Sequence, residues 1–579
     1  MLDVVIKGGT VIDGTGAAGV AADVGVRDGR IVTIGTITES ANETIDATGL
    51  LVTPGFVDPH THYDAQLIWD PTASPSLNHG VTSVIGGNCG FTLAPLRAID
   101  ADYTRKMMAK VEGMALAALE QGIEWNWESF AQYLDRLDGR IAINAGFLVG
   151  HCAIRRYVMG AAAVGEKASP EQVAAMQAEL SRSLAAGGLG FSTTLSKTHS
   201  DGDGKPVPSR WSDREEVLAL CEVVGRHEGT TLEGIVEGCL EMFAEPEMDL
   251  IISMSAAARR PFNWNVLTID SGDDTKVNHQ LEAGTRAAAA GARVVALTMP
   301  VAVPMNMSFK SFCALWLLPG WQETLGVPID ERIRRLGDPL VRTELASNSQ
   351  KPEAGIFRRL TDWGRYVIGD TYADANQGCR GRRVSEIAAE RGTSEWDTVL
   401  DICVADDLAT ILWPSPHDGG DKTWALRKQV WLDERAMIGG SDAGAHLDRM
   451  CGAPYTTRFV ADCIRGRRLI PVETAVKLMT RDPARLFGLR DRGELRVGAF
   501  ADIAVFDPAT VGSENAELVA DLPGQSARLT AGSIGMHRVL VNGVVAIRDG
   551  QPTGSTSGTL LRSGRDTDTV DTSPMREQP

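Results

Sequence analysis

The chain of 579 residues is short of the features that mark membrane, secreted or nucleic-acid-binding proteins. It has no charge-free apolar run of about 18 residues, the length a membrane span requires, so neither a span nor a membrane partner is expected. Its first residues, MLDVVIKGGTVIDGTG, lack a basic stretch followed by an apolar one, and no secretory leader is read there. The nine cysteines include no Cys-x-x-Cys pair, a pattern that suits reduced thiols in the cytoplasm rather than a disulfide framework. Basic residues are outnumbered, 57 against 75 acidic, for a formal net charge of −18. That balance argues against nucleic acid or an anionic lipid surface as a partner. It leaves room for a small-molecule substrate met by a local cation, and for a homo-oligomer. Histidine is scarce too, with ten in the whole chain. One close pair, His60 and His62 in GFVDPHTHYD, therefore raises the question of a metal site.

The two ends of the chain share one texture. DVVIKGGTVID, ADVGVRDGRIVTIG and TIDATGLLVTPG near the start, and GELRVGAFADIAVFD and RVLVNGVVAIRDG near the end, alternate apolar and polar positions between Gly and Asp-Gly turns. They predict a small β-sandwich built from residues 1–53 and 485–560. Between them, short apolar runs alternate with helical patterns such as SPEQVAAMQAELSRSLAAGG, where Val173, Met176 and Leu180 recur at helical spacing. Eight strand candidates are read: GFVDPHTH, VTSVIGGNCG, AINAGFLVGH, GLGFSTT, TTLEGIV, NWNVLTI, ARVVALTM and AMIGGSD. Strands alternating with helices imply an α/β fold with a parallel sheet, and eight of them a (β/α)₈ TIM-like barrel over 54–484. Catalytic groups would then stand at the C-terminal strand ends. The seventh and eighth candidates are too far apart for a loop, so an inserted subregion is expected at about 305–430. The polar end of the chain, 561–579, reads as a disordered tail.

On a strand, residues i and i+2 face the same way. His60 and His62 would thus both face the barrel interior, half of a site for a divalent metal; the alternative is a hydrogen-bonded surface pair. Asp442, in IGGSDAGAHLD after the last strand, can bind metal or serve as general base and then acid. It could equally cap the next helix.

Taken in order, VIKGGTVIDGTG, LVTPGFVDPHTH, GVTSVIGGNCG, LVGHCAIRR, GSDAGAH, LMTRDPARLFGLRDRGELRVGAFADIAVFDP and VLVNGVVAIRDG resemble the amidohydrolase superfamily, in its D-aminoacylase (N-acyl-D-amino-acid deacylase) branch. The resemblance implies a barrel flanked by a β-sandwich from both termini, and metal-dependent hydrolysis of an amide bond. Carried over residue by residue, His60 and His62 match first-strand metal histidines, Cys89 the branch's cysteine ligand, and Asp442 the eighth-strand aspartate. The expected cofactor is a divalent metal, zinc, as one ion rather than two. Strands five and six depart from the pattern, which places a histidine on each. Strand five carries Glu233 and Glu237, and Asp270 and Ser271 stand where strand six would offer its own.

Among the remaining candidates, His151 at the third strand end could polarise the substrate carbonyl or be a core histidine. Arg449 and Arg458 are candidates for binding a substrate carboxylate bidentately, and His446, four residues after Asp442, would line the mouth or begin the next helix. Lys197 and His199 follow strand four, near where many superfamily members place a carbamylated lysine. The apolar stretch FKSFCALWLLPGW of the insertion could wall the acyl side, form that region's own core, or contact another copy. The expected reaction is deacylation of an N-acyl (D-)amino acid by metal-activated water, with Asp442 as acid and base. Cyclic amide opening, deamination, or a scaffold without catalysis are the alternatives.

Overall fold

The structure is a computed structural model that describes residues 1–303, 305–310, 313–414 and 419–573. The chain forms two compact units, Met1–Val301 with Gly420–Pro579, and Ala302–Gly419.

In the larger unit both chain ends share one nine-stranded sheet. Its spatial order is Gln551–Pro552, Val544–Arg548, Met536–Val541, Ile503–Phe506, Leu51–Pro54, Leu2–Val11, Val20–Arg27 and Arg30–Gly35, with Ala41–Asp46 also paired to Leu2–Val11. The two ends meet where Ile503–Phe506 runs antiparallel to Leu51–Pro54, with Ile503 opposite Pro54. Period-two alternation puts Val4 and Ile6, Val24 and Val26, and Ile503 and Val505 into a buried cluster of their own.

The same unit holds eight parallel strand segments, labelled here in chain order: β1 Phe56–Asp58, β2 Val81–Gly86, β3 Asn144–Phe147 resuming at Val149–Gly150, β4 Gly190–Thr194, β5 Thr231–Ile235, β6 Phe262–Trp264, β7 Val294–Thr298 and β8 Ala436–Ile438. β1, β2 and the first part of β3 form one sheet; the second part of β3 through β8 forms another, in the order β3-β4-β5-β6-β7-β8. Beyond its last residue β1 continues to bond on both sides. Thr61 N donates to Ile85 O at 2.9 Å, His62 N to Ala443 O at 2.7 Å, and Asp442 N to His60 O at 3.2 Å. The strands are buried along their lengths apart from Ala436, as parallel strands covered on both faces are, and their polar members, such as Ser192, Thr193 and Glu233, are buried with them. The helix expected after β3 forms as Pro170–Ala185, with Met176 and Leu180 buried and a capping box in which Ser169 Oγ accepts from Gln172 N and Gln172 Oε1 from Ser169 N.

Two expectations change. The stretch from 561, read as disordered, is ordered through Ser573, and the residues from 574 lie outside those described. Leu560 and Leu561 are buried, Leu561 N donates to Ala145 O at 2.8 Å, and Thr567 Oγ1 to Gly229 O at 2.6 Å. Its many hydroxyls and carboxylates bond backbone rather than water, which composition alone does not reveal. The insertion is the second unit, so its boundary falls at Gly419 and the helix Asp421–Trp431 belongs to the larger unit. Phe309, Cys313, Leu315, Leu318 and Trp321 join Trp363, Tyr366 and Val399 in a core within the second unit. Of the three roles open to the apolar stretch FKSFCALWLLPGW, these residues take that of the unit's own core, with Ser311 and Phe312 outside the described residues.

Candidate metal centre

The segment after β1 turns His60 and His62 to the same side, as the period-two reading requires, with ring centroids 5.2 Å apart and both rings buried. Past β2, Cys89 lies in the left-handed region at φ 54°. At the neighbouring Gly87 a Cβ would stand 2.3 Å from Leu148 O, so only glycine lets this turn lie against β3. Past β8, Gly440 has φ 78° and its added Cβ would meet Leu297 Cδ2 at 2.6 Å. Asp442 follows, also left-handed at φ 58°. Non-glycine residues held in this region cost on the order of 1 kcal/mol each and persist where surrounding structure over-determines them.

These turns bring His60, His62 and Cys89 together, with ligand atoms within 4.8 Å of one another. Asp442 Oδ1 faces both rings, 3.4 Å from His60 Nε2 and 3.1 Å from His62 Nε2. Its other oxygen, Oδ2, lies 3.5 Å from His446 Nε2. Cys89 Sγ is 3.7 Å from His60 Nε2. Burial opposes ionisation of Asp442, but hydrogen bonds to His60 and His62 and the field of His446 prevail and hold its carboxyl well below the usual range. The Cys89 thiol is pushed up by burial and by the carboxylates of Glu233, Glu112 and Asp442.

Strands five and six still aim at the cysteine. Glu233 on β5 is fully buried, accepts from Cys89 N at 2.7 Å, and lies 4.0 Å from Cys89 Sγ. Asn265, just past β6, donates from Nδ2 to Cys89 Sγ at 3.2 Å. Asp270, expected at this place, instead pairs with Lys276 at 3.7 Å. The strand ends at Trp264, and Leu267 and Ile269 of the apolar run that suggested a longer strand are buried in the loop beyond it.

Sequence reading missed three carboxylates here. Asp58 and Asp64 bracket the histidine pair in GFVDPHTHYD and are both fully buried; their symmetric placement around it was the available signal. Burial raises them to about 6 and about 7, against hydrogen bonds from Ser441 and Gly87 respectively. Glu112, at the end of the helix Ala101–Val111, carries no motif at all. Its Oε1 lies 3.5 Å from His62 Nδ1, and burial pushes its carboxyl well above the ordinary value.

The other candidates divide. His446, left-handed at φ 52°, accepts on Nδ1 from Arg449 Nη2 at 2.9 Å, so both stand beside Asp442. Burial lowers His446 to about 4, against the pull of Asp442. His151 corrects its expectation of carbonyl polarisation: it is fully buried, with Nδ1 on Thr193 Oγ1 and Nε2 on Glu216 Oε1, both at 2.9 Å. Arg155 completes that group on Glu216 at 2.7 Å, so no ring nitrogen of His151 is left for a substrate. Arg458 reaches Ser513 Oγ at 3.4 Å, and Lys197 is exposed on an ion pair with Glu237 at 3.4 Å. His199 bonds Thr194 Oγ1 at 2.8 Å, and burial, with His446 and His62 nearby, lowers it to about 3.

The donor set fits a divalent cation. Buried nitrogens, a sulfur and a carboxylate converge, while His60 Nδ1 and His62 Nδ1 have no hydrogen-bond partner among the described residues. Five buried or half-buried carboxyl groups, Asp58, Asp64, Glu112, Glu233 and Asp442, crowd around them. Buried carboxyl groups in such number, most of them raised in pKa by burial, are the kind of surroundings a cation would relieve.

The family model described as "Amidohydrolase family" matches residues 43–547, and the chain belongs to that family. It is 29% identical over 567 residues to a D-aminoacylase of Alcaligenes xylosoxydans xylosoxydans, covering 96% of this chain and 97% of the relative. A solved D-aminoacylase, described by one-metal activation and second-metal attenuation of its binuclear centre, is 28% identical with a TM-score of 0.63, over 97% of this chain and 100% of the other. An N-acyl-D-glutamate deacylase from Bordetella bronchiseptica, complexed with zinc and a phosphonate mimic of the tetrahedral intermediate, is 26% identical with a TM-score of 0.61, at the same coverage.

Proposed function

We propose that this amidohydrolase is a metal-dependent enzyme that cleaves the amide C–N bond of N-acyl amino acids of D configuration. The observation that carries the reading is Asp442, ionised and seated with Oδ1 between His60 Nε2 and His62 Nε2. We read the two parallel sheets as arcs of one (β/α)₈ barrel, since β3 belongs to both and the end of β1 bonds to residues past β8. The nine-stranded sheet from 1–53 and 485–560 is the flanking β domain.

His60, His62, Cys89 and Asp442 would hold the metal. One ion, zinc, suits the set better than two, because β5 and the end of β6 bring a glutamate and an asparagine rather than two imidazoles. When bound, such an ion supplies the Lewis acidity that makes water nucleophilic near neutral pH and polarises a carbonyl.

The protein's own groups do the rest. Asp442 divides its oxygens: Oδ1 belongs to the histidine side, and Oδ2, on the His446 side, takes the proton of the attacking water. Water oxygen bonds to the amide carbon, the C–N bond breaks, and Asp442 returns the proton to the leaving amine. His446 holds the Arg449 guanidinium at the mouth, where it meets the substrate carboxylate as a planar fork. The protein's partner is then a small carboxylate-bearing amide. Nine free, buried thiols suit the cytoplasm, and no helix among the described residues is long and apolar enough to cross a membrane.

The test is release of free amino acid from paired N-acyl-D- and N-acyl-L-amino acids by zinc-loaded protein, before and after chelation, beside Asp442→Asn. Hydrolysis of the D series only, lost on chelation, is expected. In Asp442→Asn, kcat should fall about 10²- to 10⁴-fold, the usual worth of a positioned acid–base. A zinc-loaded protein inert on the whole panel, or an Asp442→Asn variant within tenfold of wild type, sinks the reading.

A further inference from the structure

Each of the two site histidines has a second nitrogen pointing away from Asp442, and each of those nitrogens meets a buried carboxylate. Behind His60, Nδ1 lies 3.7 Å from Glu233 Oε1; behind His62, Nδ1 lies 3.5 Å from Glu112 Oε1. Neither nitrogen has another partner among the described residues. The carboxylates come from separate places, the middle of β5 and the end of the helix Ala101–Val111. All four side chains are at most 5% exposed, so water does not compete for either nitrogen.

The Glu233 carboxylate is also held on its far side, and the Glu112 backbone is held in place. Glu233 Oε2 accepts from Cys89 N at 2.7 Å. The Glu112 backbone is held at both ends, its N donating to Met108 O at 2.9 Å and its O accepting from His446 N. A histidine that binds metal through one nitrogen gains orientation and basicity when the other faces a fixed carboxylate. Here two such carboxylates serve two adjacent rings.

We propose that Glu112 and Glu233 are positioning residues, each orienting one metal-site histidine through its Nδ1 nitrogen. Glu233 thereby acquires a role other than direct replacement of a strand-five imidazole. The proposal rests on the metal reading above and adds to it which groups behind the ligands set affinity.

The test uses the full-length chain, stripped of metal and reloaded, with Glu112→Gln, Glu233→Gln and Glu112→Asp. Zinc affinity is read by chelator competition, and ligand geometry by visible absorption of the cobalt(II) form. Each glutamine variant keeps the side-chain shape and loses the charge. Each should weaken zinc binding about 10- to 100-fold, the usual effect of losing such a partner, with the cobalt bands in place at saturation. Glu112→Asp keeps the charge but draws it back from Nδ1, and should weaken zinc by a similar factor. Changes below threefold overturn the proposal. So does wild-type affinity in Glu112→Asp beside a weak Glu112→Gln, which would make the effect one of field rather than orientation. Displaced cobalt bands in Glu233→Gln would make Glu233 a ligand and overturn it for that residue. Wild-type protein that takes up no zinc overturns the metal reading itself, and does so before any substitution is compared.

Discussion

His79 gives the fold a pH dependence whose size follows from its surroundings. It sits just before β2, fully buried, with Nδ1 on Thr457 Oγ1 at 2.7 Å and Nε2 on Ala531 O at 3.0 Å. It thus ties the strand that leads to Cys89 to the helix Tyr455–Ile464 and to the C-terminal part of the chain. Burial lowers its pKa from 6.5 to about 4, only partly offset by the Ala531 carbonyl. The native state therefore keeps the ring neutral over a range in which the unfolded chain takes up a proton. The folded value is depressed, so its contribution is complete above pH 6.5 and is lost as the pH falls from there toward 4. About 2.5 pH units at about 1.4 kcal/mol each come to about 3.5 kcal/mol in full. The assay is urea unfolding of wild type and His79→Gln at pH 7.5, 6.5, 5.5 and 4.5 under matched metal loading, followed by a probe in the larger unit. Other titrating groups are common to both proteins, so the difference in stability between them isolates His79. Wild type should lose its advantage by about 2.5 kcal/mol between pH 7.5 and 4.5. A difference that stays flat within about 0.5 kcal/mol would refute the reasoning.

Three further outcomes are expected. Arg449→Ala should raise KM about 10- to 100-fold with kcat changed far less, the worth of a charged hydrogen bond to a substrate carboxylate; steady-state kinetics with a fall in kcat alone would place Arg449 elsewhere in the cycle. His151→Gln should cost about 1–3 kcal/mol of stability by disturbing the buried group with Glu216 and Arg155, while kcat/KM of the folded protein stays within threefold; a selective loss of kcat would return His151 to the active site. Leu561→Ala, in the ordered end segment, should destabilise the larger unit by about 2–5 kcal/mol in thermal or urea unfolding, and a change under about 0.5 kcal/mol would mean that the segment is not docked in solution.

Much of the site was legible because it is coded locally. His60 and His62 lie two apart past a strand and Asp442 follows Gly439 and Gly440, so strand-end periodicity and turn chemistry marked these three, while Cys89 was marked by the family resemblance. Glu112 was invisible for the opposite reason. It comes from the end of a helix with ordinary amphipathic spacing, and only the fold brings it to His62. His151 misled because a histidine at a strand end looks the same in sequence whether it faces a substrate or a buried glutamate. Its partners, Thr193 and Glu216, lie 42 and 65 residues away. β6 was read too long because Val266, Leu267 and Ile269 are apolar, and apolar loops that pack inward carry the same signature as strands. The end segment failed on composition, since its hydroxyls and carboxylates are occupied by backbone partners.

The departure at strands five and six alters the electrostatics of the centre more than its shape. An imidazole at the Glu233 position would be a neutral donor to a metal, whereas the glutamate adds a negative charge to a pocket that already holds Asp58, Asp64, Glu112 and Asp442. Burial raises Glu233 and Asp64 to about 7 and Asp58 to about 6. On the proposed reading, a divalent ion bound there would displace the protons of these groups, and its apparent affinity would rise with pH through the range in which they titrate. Asn265 works in the other direction, donating a hydrogen bond to Cys89 Sγ and steadying the sulfur without contributing a ligand nitrogen. The centre thus sets carboxyl groups behind two histidines and leaves Asp442, held well below its usual range, as the base of the proposed reaction. On the proposed reading, a pocket of that kind would attract one cation through the carboxylates around it, and would offer a second fewer nitrogens than the strand-five and strand-six histidines of the family pattern.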